Sequence, residues 1–80
     1  MTKDFDMTTQ MIRSEITGTV WKIVVQPGAT LQADDTIMIL ESMKMEIPVV
    51  APEDGRVLEL LVAEGAAVRE GQELVRFEEA

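Results

Sequence analysis

The 80 residues predict a small all-β sandwich or barrel built from two similar halves, on three observations. Short apolar runs rich in Val and Ile are broken at regular intervals by Pro27-Gly28, Asp34-Asp35, Pro52 to Gly55, Glu64-Gly65 and Glu70-Gly71. That is the pattern of short strands joined by tight turns. Helical periodicity is hard to find anywhere in the chain. Finally, "GTVWKIVVQPGATLQADDTIMILE", from Gly18, lies without a gap over "GRVLELLVAEGAAVREGQELVRFE", from Gly55, at an offset of 37 residues. Val20 falls on Val57, Val25 on Val62, Gly28 on Gly65, Ala29 on Ala66, Leu31 on Val68, Ile37 on Leu74, Leu40 on Phe77 and Glu41 on Glu78. Two halves this alike imply one strand arrangement used twice about an approximate two-fold axis. Neither could cover its apolar face alone, so they must pack together.

Taken in order, the elements follow from alternation along each strand. Residues 1–10 are polar, lie outside the repeat and are expected to form a mobile N-terminal extension, leaving 11–80 as the domain. Trp21, Ile23 and Val25 alternate with Lys22, as Leu58, Leu60 and Val62 alternate with Glu59. The first set is assigned inward, and Lys22 and Glu59 outward. Pro27-Gly28 suits a turn whose third residue needs positive φ, and Glu64-Gly65 repeats it. Met38, Leu40, Val75 and Phe77 are expected inward, with Arg76 on the solvent side.

The 15 residues from Thr36 to Val50 contain no glycine and exceed one ordinary strand of about 5–6 residues. The repeat says where the chain turns. Residues up to Glu41 match the last strand of the second half, and Ile47 to Val50 map back onto Gln10 to Arg13. The seam therefore lies at Ser42 to Glu46, with Met43-Lys44 at the bend. Two-residue hairpins favour Asn-Gly or Asp-Gly, because their backbone needs positive φ, and no Gly, Asn or Asp occurs from Ser42 to Met45. Such a broken local rule marks a candidate functional site. The other reading is an ordinary charged hairpin tip with its methionines facing the core.

Composition narrows the chemistry. There is no His, Cys or Tyr, so no imidazole base, thiol nucleophile, disulfide or thiolate zinc site is available, and Ser14 and Ser42 have no His to activate them. A chain this short buries only about 60% of its unfolded surface and leaves little room for an enclosed cleft. Net charge is −8, against the basic footprint of a nucleic-acid binder and against an anionic membrane surface, and in keeping with docking to other proteins. No secretory signal or bilayer-spanning run is visible, so the expected compartment is the cytoplasm.

The segment "ESMKME", Glu41 to Glu46, resembles the biotin-attachment motif of biotinyl domains, and the likeness to the biotinyl/lipoyl family extends over roughly Ile12 to Phe77. The resemblance implies a flattened β-barrel of two four-stranded antiparallel sheets with a quasi-dyad, a barrel-sandwich hybrid. It implies that Lys44, rather than Lys22 or Lys3, carries biotin as an amide on its side-chain nitrogen. A lysine amine is almost wholly protonated near neutral pH, so a separate biotin protein ligase holding activated biotin must align it and help remove its proton. By the same resemblance a biotin carboxylase uses ATP and bicarbonate to carboxylate the ring, and a carboxyltransferase passes the carboxyl group on. The domain is then a non-catalytic carrier, an isolated monomer serving a biotin-dependent carboxylase, most naturally an acyl-CoA carboxylase. Met43 and Met45 would set the hairpin and aid its recognition, or one of them would pack on the barrel. Glu41 and Glu46 are ligase contacts or solvated strand ends.

Three departures from the family pattern stand out. Ser42 replaces the commoner Ala, Glu15 stands where Pro is frequent, and no thumb-like insertion lies between Val25 and Ile37. Without an Ala/Pro-rich linker either, the chain resembles a minimal stand-alone carrier or one cut from a larger carboxylase. Two rivals remain: a lipoyl carrier, with lipoate on the same lysine alone or alongside biotin, and an unmodified barrel-sandwich adaptor. The acceptor (acetyl-CoA, propionyl-CoA, another acyl-CoA, pyruvate or urea) is left open.

Overall fold

The structure, a computed structural model, describes residues 9–80. Most of the expected N-terminal extension lies outside them. Eight strands follow one another: β1 (Thr9–Arg13), β2 (Gly18–Ile23), β3 (Thr30–Leu31), β4 (Thr36–Ser42), β5 (Met45–Val50), β6 (Gly55–Leu60), β7 (Ala67–Val68) and β8 (Glu73–Glu79). They form two four-stranded sheets, ordered β1-β8-β6-β3 and β5-β4-β2-β7, with every pairing antiparallel. Adding 37 to the numbers of β2, β3 and β4 gives β6, β7 and β8 residue for residue, so one sheet order is the image of the other.

Each sheet mixes strands from both halves. The short β3 adds to β6, and β7 adds to β2. The turns that deliver them are duplicated too. Gly28 N–H donates to the Val57 carbonyl at 2.7 Å, and Gly65 N–H to that of Val20 at 2.8 Å. In the turns Gln26–Ala29 and Ala63–Ala66 the third residue is Gly28 (φ 92°) or Gly65 (φ 88°), the left-handed conformation that glycine adopts without steric cost. Asp34 (φ 74°) and Gly71 (φ 87°) hold the equivalent place in a second pair of turns.

The core repeats at the same offset. Val20 and Val57, Leu31 and Val68, Ile37 and Leu74, Met38 and Val75, Leu40 and Phe77 are all buried. Ser14, also buried, matches the buried Ala51. It satisfies its hydroxyl by donating to the Ile16 carbonyl at 2.6 Å, as a buried polar group must.

Simple alternation fails at two places in each half. Ile37 in β4 and its counterpart Leu74 in β8 are extra residues facing β5 and β1, so Ile37-Met38 and Leu74-Val75 are both buried as adjacent pairs. The other failure lies in β2 and β6. Val20 opposes Leu40 while Lys22 opposes Ile39, leaving Trp21 as an extra residue in a β-bulge, and Leu58 is its counterpart between Val57 and Glu59. The bulge moves the inward position to Val20 and Val57. Trp21, expected inside, is therefore 48% exposed, and Leu58 is only half-buried. Lys22, Glu59 and Arg76 face solvent as expected.

Phe77 is the largest fully buried side chain. Phe77→Ala should lower stability by about 3–5 kcal/mol, a large share of the about 5–15 kcal/mol of a small domain, read as a shift in the urea midpoint at unchanged slope. At the edge of this core the Glu79 carboxyl is raised above its ordinary value by its hydrogen bond to Glu53, then by the charge of Glu53. A carboxyl whose pKa is raised by folding binds more protons folded than unfolded, so stability falls as pH rises through the raised value. Calorimetry should show Glu79→Gln melting above the parent at neutral pH and losing that dependence in weak acid.

Candidate functional site

The β4–β5 hairpin occupies the seam between the halves. Ser42 opposes Met45 in the last rung of the ladder, leaving Met43 and Lys44 as a two-residue loop. Both have positive φ, 52° and 68°, the signature of the type I′ turn whose twist matches its flanking strands. Here the chain uses a methionine and a lysine where Asn-Gly would be free of strain. For L-residues with a Cβ the left-handed region costs roughly 1–2 kcal/mol each. Strand pairing and the contacts at the hairpin base hold them there.

The base is clamped from one side. The Ser42 hydroxyl donates to the Thr17 carbonyl at 3.0 Å. A Cβ on Gly18 would collide with the Glu41 carbonyl and come within 3.2 Å of the Ser42 Cβ. Glycine is thus needed for β2 to start hard against the last turn of β4. Thr17 in turn accepts the Glu70 N–H on its Oγ1 at 3.1 Å, joining the hairpin base to the loop after β7. The sequence singled out Ser42 as a small substitution. It missed Thr17, and it noted Gly18 only as a repeat position.

The tip projects into solvent. Met43 is 91% exposed and Met45 61%, so neither packs on the barrel and the core-facing alternative for these two side chains is ruled out. The side chain of Lys44 is exposed, and no hydrogen bond or ion pair to a described residue engages its ε-amine. Glu41 and Glu46 oppose each other directly behind the tip, both exposed on the outer face. All five residues expected to serve recognition of the attachment hairpin (Glu41, Ser42, Met43, Met45 and Glu46) are therefore brought together around Lys44. An amine so placed can be reached by an external active site and acylated without disturbing the core.

Among the described residues, no group of three or more acidic, His or Cys side chains could hold a metal, and no helix is long and apolar enough to cross a membrane. A groove of about 140 Å³, lined by Ile12, Ile16, Leu40, Ile47 and Val49 among others, opens between the edges of β1 and β5. It is well below the roughly 300–1,000 Å³ of small-molecule sites.

Comparison with known proteins agrees with this geometry. A family model described as "Biotin-requiring enzyme" matches residues 6–77. The biotin/lipoyl attachment protein of Bacillus subtilis (strain 168) is 41% identical over 63 residues, covering 79% of this chain and 86% of that one. The α subunit of mitochondrial methylcrotonoyl-CoA carboxylase of Mus musculus is 41% identical over 64 residues, 80% of this chain but 9% of that protein. In a solved structure of a single-chain, multi-domain long-chain acyl-CoA carboxylase, 8% of the chain superposes on 99% of this one, with TM-score 0.88 and 28% identity. With all but its first five and last three residues inside the family model, this chain belongs to the biotin/lipoyl attachment family of biotin-requiring enzymes.

Proposed function

We propose that this chain is a biotin carboxyl carrier, with Lys44 the residue that takes biotin in amide linkage. It would move a carboxyl group from a biotin carboxylase to a carboxyltransferase within a cytoplasmic biotin-dependent carboxylase, most naturally one acting on an acyl-CoA. The supporting observation is an exposed lysine, without an ion pair among the described residues, at the tip of a strained but well-anchored two-residue turn, flanked by two exposed methionines. The carboxylase relatives add to it. The chain covers under a tenth of those proteins, so the partners would be domains or subunits outside it.

The residues fit the group. Lys44 Nζ, once deprotonated, would attack the carboxyl carbon of biotin activated as an adenylate on the ligase. The new C–N bond would form as the C–O bond to phosphate broke, with AMP leaving with that electron pair and the amine proton passing to a base on the ligase or to water. No side chain of the carrier need take part beyond Lys44, in keeping with the absence of His and Cys. Bound there, biotin supplies the ureido group on which a carboxyl is carried. The clamp of Ser42 on Thr17 holds the root of that arm still while the arm itself swings, raising its local concentration at each partner site.

Intact mass after incubation with biotin, ATP and a biotin protein ligase should show one biotin on the wild type and none on Lys44→Arg. No addition to a folded wild type would overturn the reading, and the same assay with lipoate and a lipoyl ligase tests the lipoyl carrier. The turn should be strained for this purpose. Met43→Asn with Lys44→Gly should therefore stabilise the domain by about 1 kcal/mol while abolishing modification, as read by urea titration and mass.

A further inference from the structure

The quasi-dyad makes one sheet a control for the other, and their outer faces differ. On the β1-β8-β6-β3 sheet three directly opposed pairs are ion pairs: Arg13 with Glu73 at 3.0 Å, Arg56 with Glu78 at 2.7 Å and Arg76 with Glu59 at 3.5 Å. The matching rungs of the hairpin-bearing sheet are Val50 with Thr36, Thr19 with Glu41 and Ile39 with Lys22. Every arginine has been replaced by an uncharged residue. Trp21, exposed by its bulge, joins Ile39, Pro48 and Val50 on this outer face. With Thr19 as Arg56's counterpart, Glu41 has no cation paired with it among the described residues and faces the like charge of Glu46 across the ladder, a juxtaposition that destabilises a free sheet.

We propose that this face is the docking surface for the ligase that acylates Lys44, with the patch around Trp21 and Ile39 covered by an apolar surface and Glu41 and Glu46 met by a cation. The proposal rests on the carrier reading above. Reach selects the ligase as occupant. The bare lysine extends only its own four methylenes beyond the hairpin, so the acylating site must close on the barrel itself. Partners that act on the finished arm can stand farther off. Pro48 and Ile39 lie four and five residues from Lys44, about 13–17 Å along the strands at about 3.3 Å per residue. A standard interface of about 800 Å² per partner is roughly 30 Å across, so one that runs from the tip along this sheet has the patch near its centre. Charge argues against a second copy: a net −8 chain would bring Glu41 and Glu46 against their own images.

The internal control supplies the variants. Ile39→Arg and Val50→Arg copy residues that the other sheet already accommodates, and Arg76→Ile is the reciprocal change on the ion-paired face. With a purified biotin protein ligase, Ile39→Arg/Val50→Arg should raise the KM for the carrier about tenfold or more with kcat nearly unchanged, as loss of a central apolar anchor does. Arg76→Ile should leave both near wild type. In ¹⁵N-labelled Lys44→Arg protein, the single indole N–H, that of Trp21, should shift on adding ligase. Unchanged ligation by the double variant, or an indole that does not respond, would overturn the proposal. So would self-association through this face on sedimentation, or a carboxylation defect with normal ligation, which would assign the face to a second copy or to a carboxylase partner. If the wild type itself takes no biotin, it is the carrier reading that fails.

Discussion

Everything in this molecule depends on the exchange of short strands between its halves. A half holding only its own strands would leave two edges and one face bare. Instead Thr30–Leu31 closes the edge beside β6, and Ala67–Val68 closes the edge beside β2. The backbone bonds that seat them occur as near-identical couples: Val57 N–H to the Ala29 carbonyl and Val20 N–H to that of Ala66, each at 2.9 Å. Because these bonds join residues far apart in sequence, each half completes the sheet of the other. That mutual dependence lets a chain with so small a core hold one conformation.

A rigid body of this kind can maintain a local conformation that its residues would not choose. The left-handed methionine and lysine at the tip are unfavourable in isolation, and the ladder of β4 and β5 together with the Ser42–Thr17 bond fixes them. The function proposed for Lys44 asks for that combination: a side chain wholly in water on a backbone that does not move. The two outer faces of the same body differ. One is finished with ion pairs, while the surface beside the hairpin keeps apolar residues and an acidic pair without a paired cation among the described residues.

Much of this was legible in the sequence because the repeat is nearly exact in spacing. The offset of 37 residues located both halves, the seam and the turn, and the methionines flanking Lys44 pointed to the family. Alternation broke down where it had to. Trp21 looks like a core residue by composition and by parity from Ile23, yet the bulge shifts the count by one and turns it outward. Adjacent apolar pairs such as Val20-Trp21, Ile37-Met38, Val57-Leu58 and Leu74-Val75 are the sign in the sequence of such slips, since a strand without a bulge sends neighbours to opposite faces. Thr17 was invisible for another reason: its role lies in a main-chain carbonyl, which any residue would supply. Gly18 was visible as a repeated glycine, but only the approach of Glu41 shows what its missing side chain is for.

The strand that leads to the lysine also sets it apart from the two ends of the described chain. Asp54 accepts the Ala33 N–H on its carboxylate and the Ala80 N–H on its carbonyl, both at 2.9 Å, which places the last residue beside the loop that leads into β4. Lys44 lies beyond the other end of that seven-residue strand, about 20 Å away. Thr9 is paired with Glu78 and so shares the region of the last residue. The first and last described residues therefore both lie at the pole opposite the lysine. A segment continuing from that pole would leave the hairpin tip outermost, clear of the line that holds it.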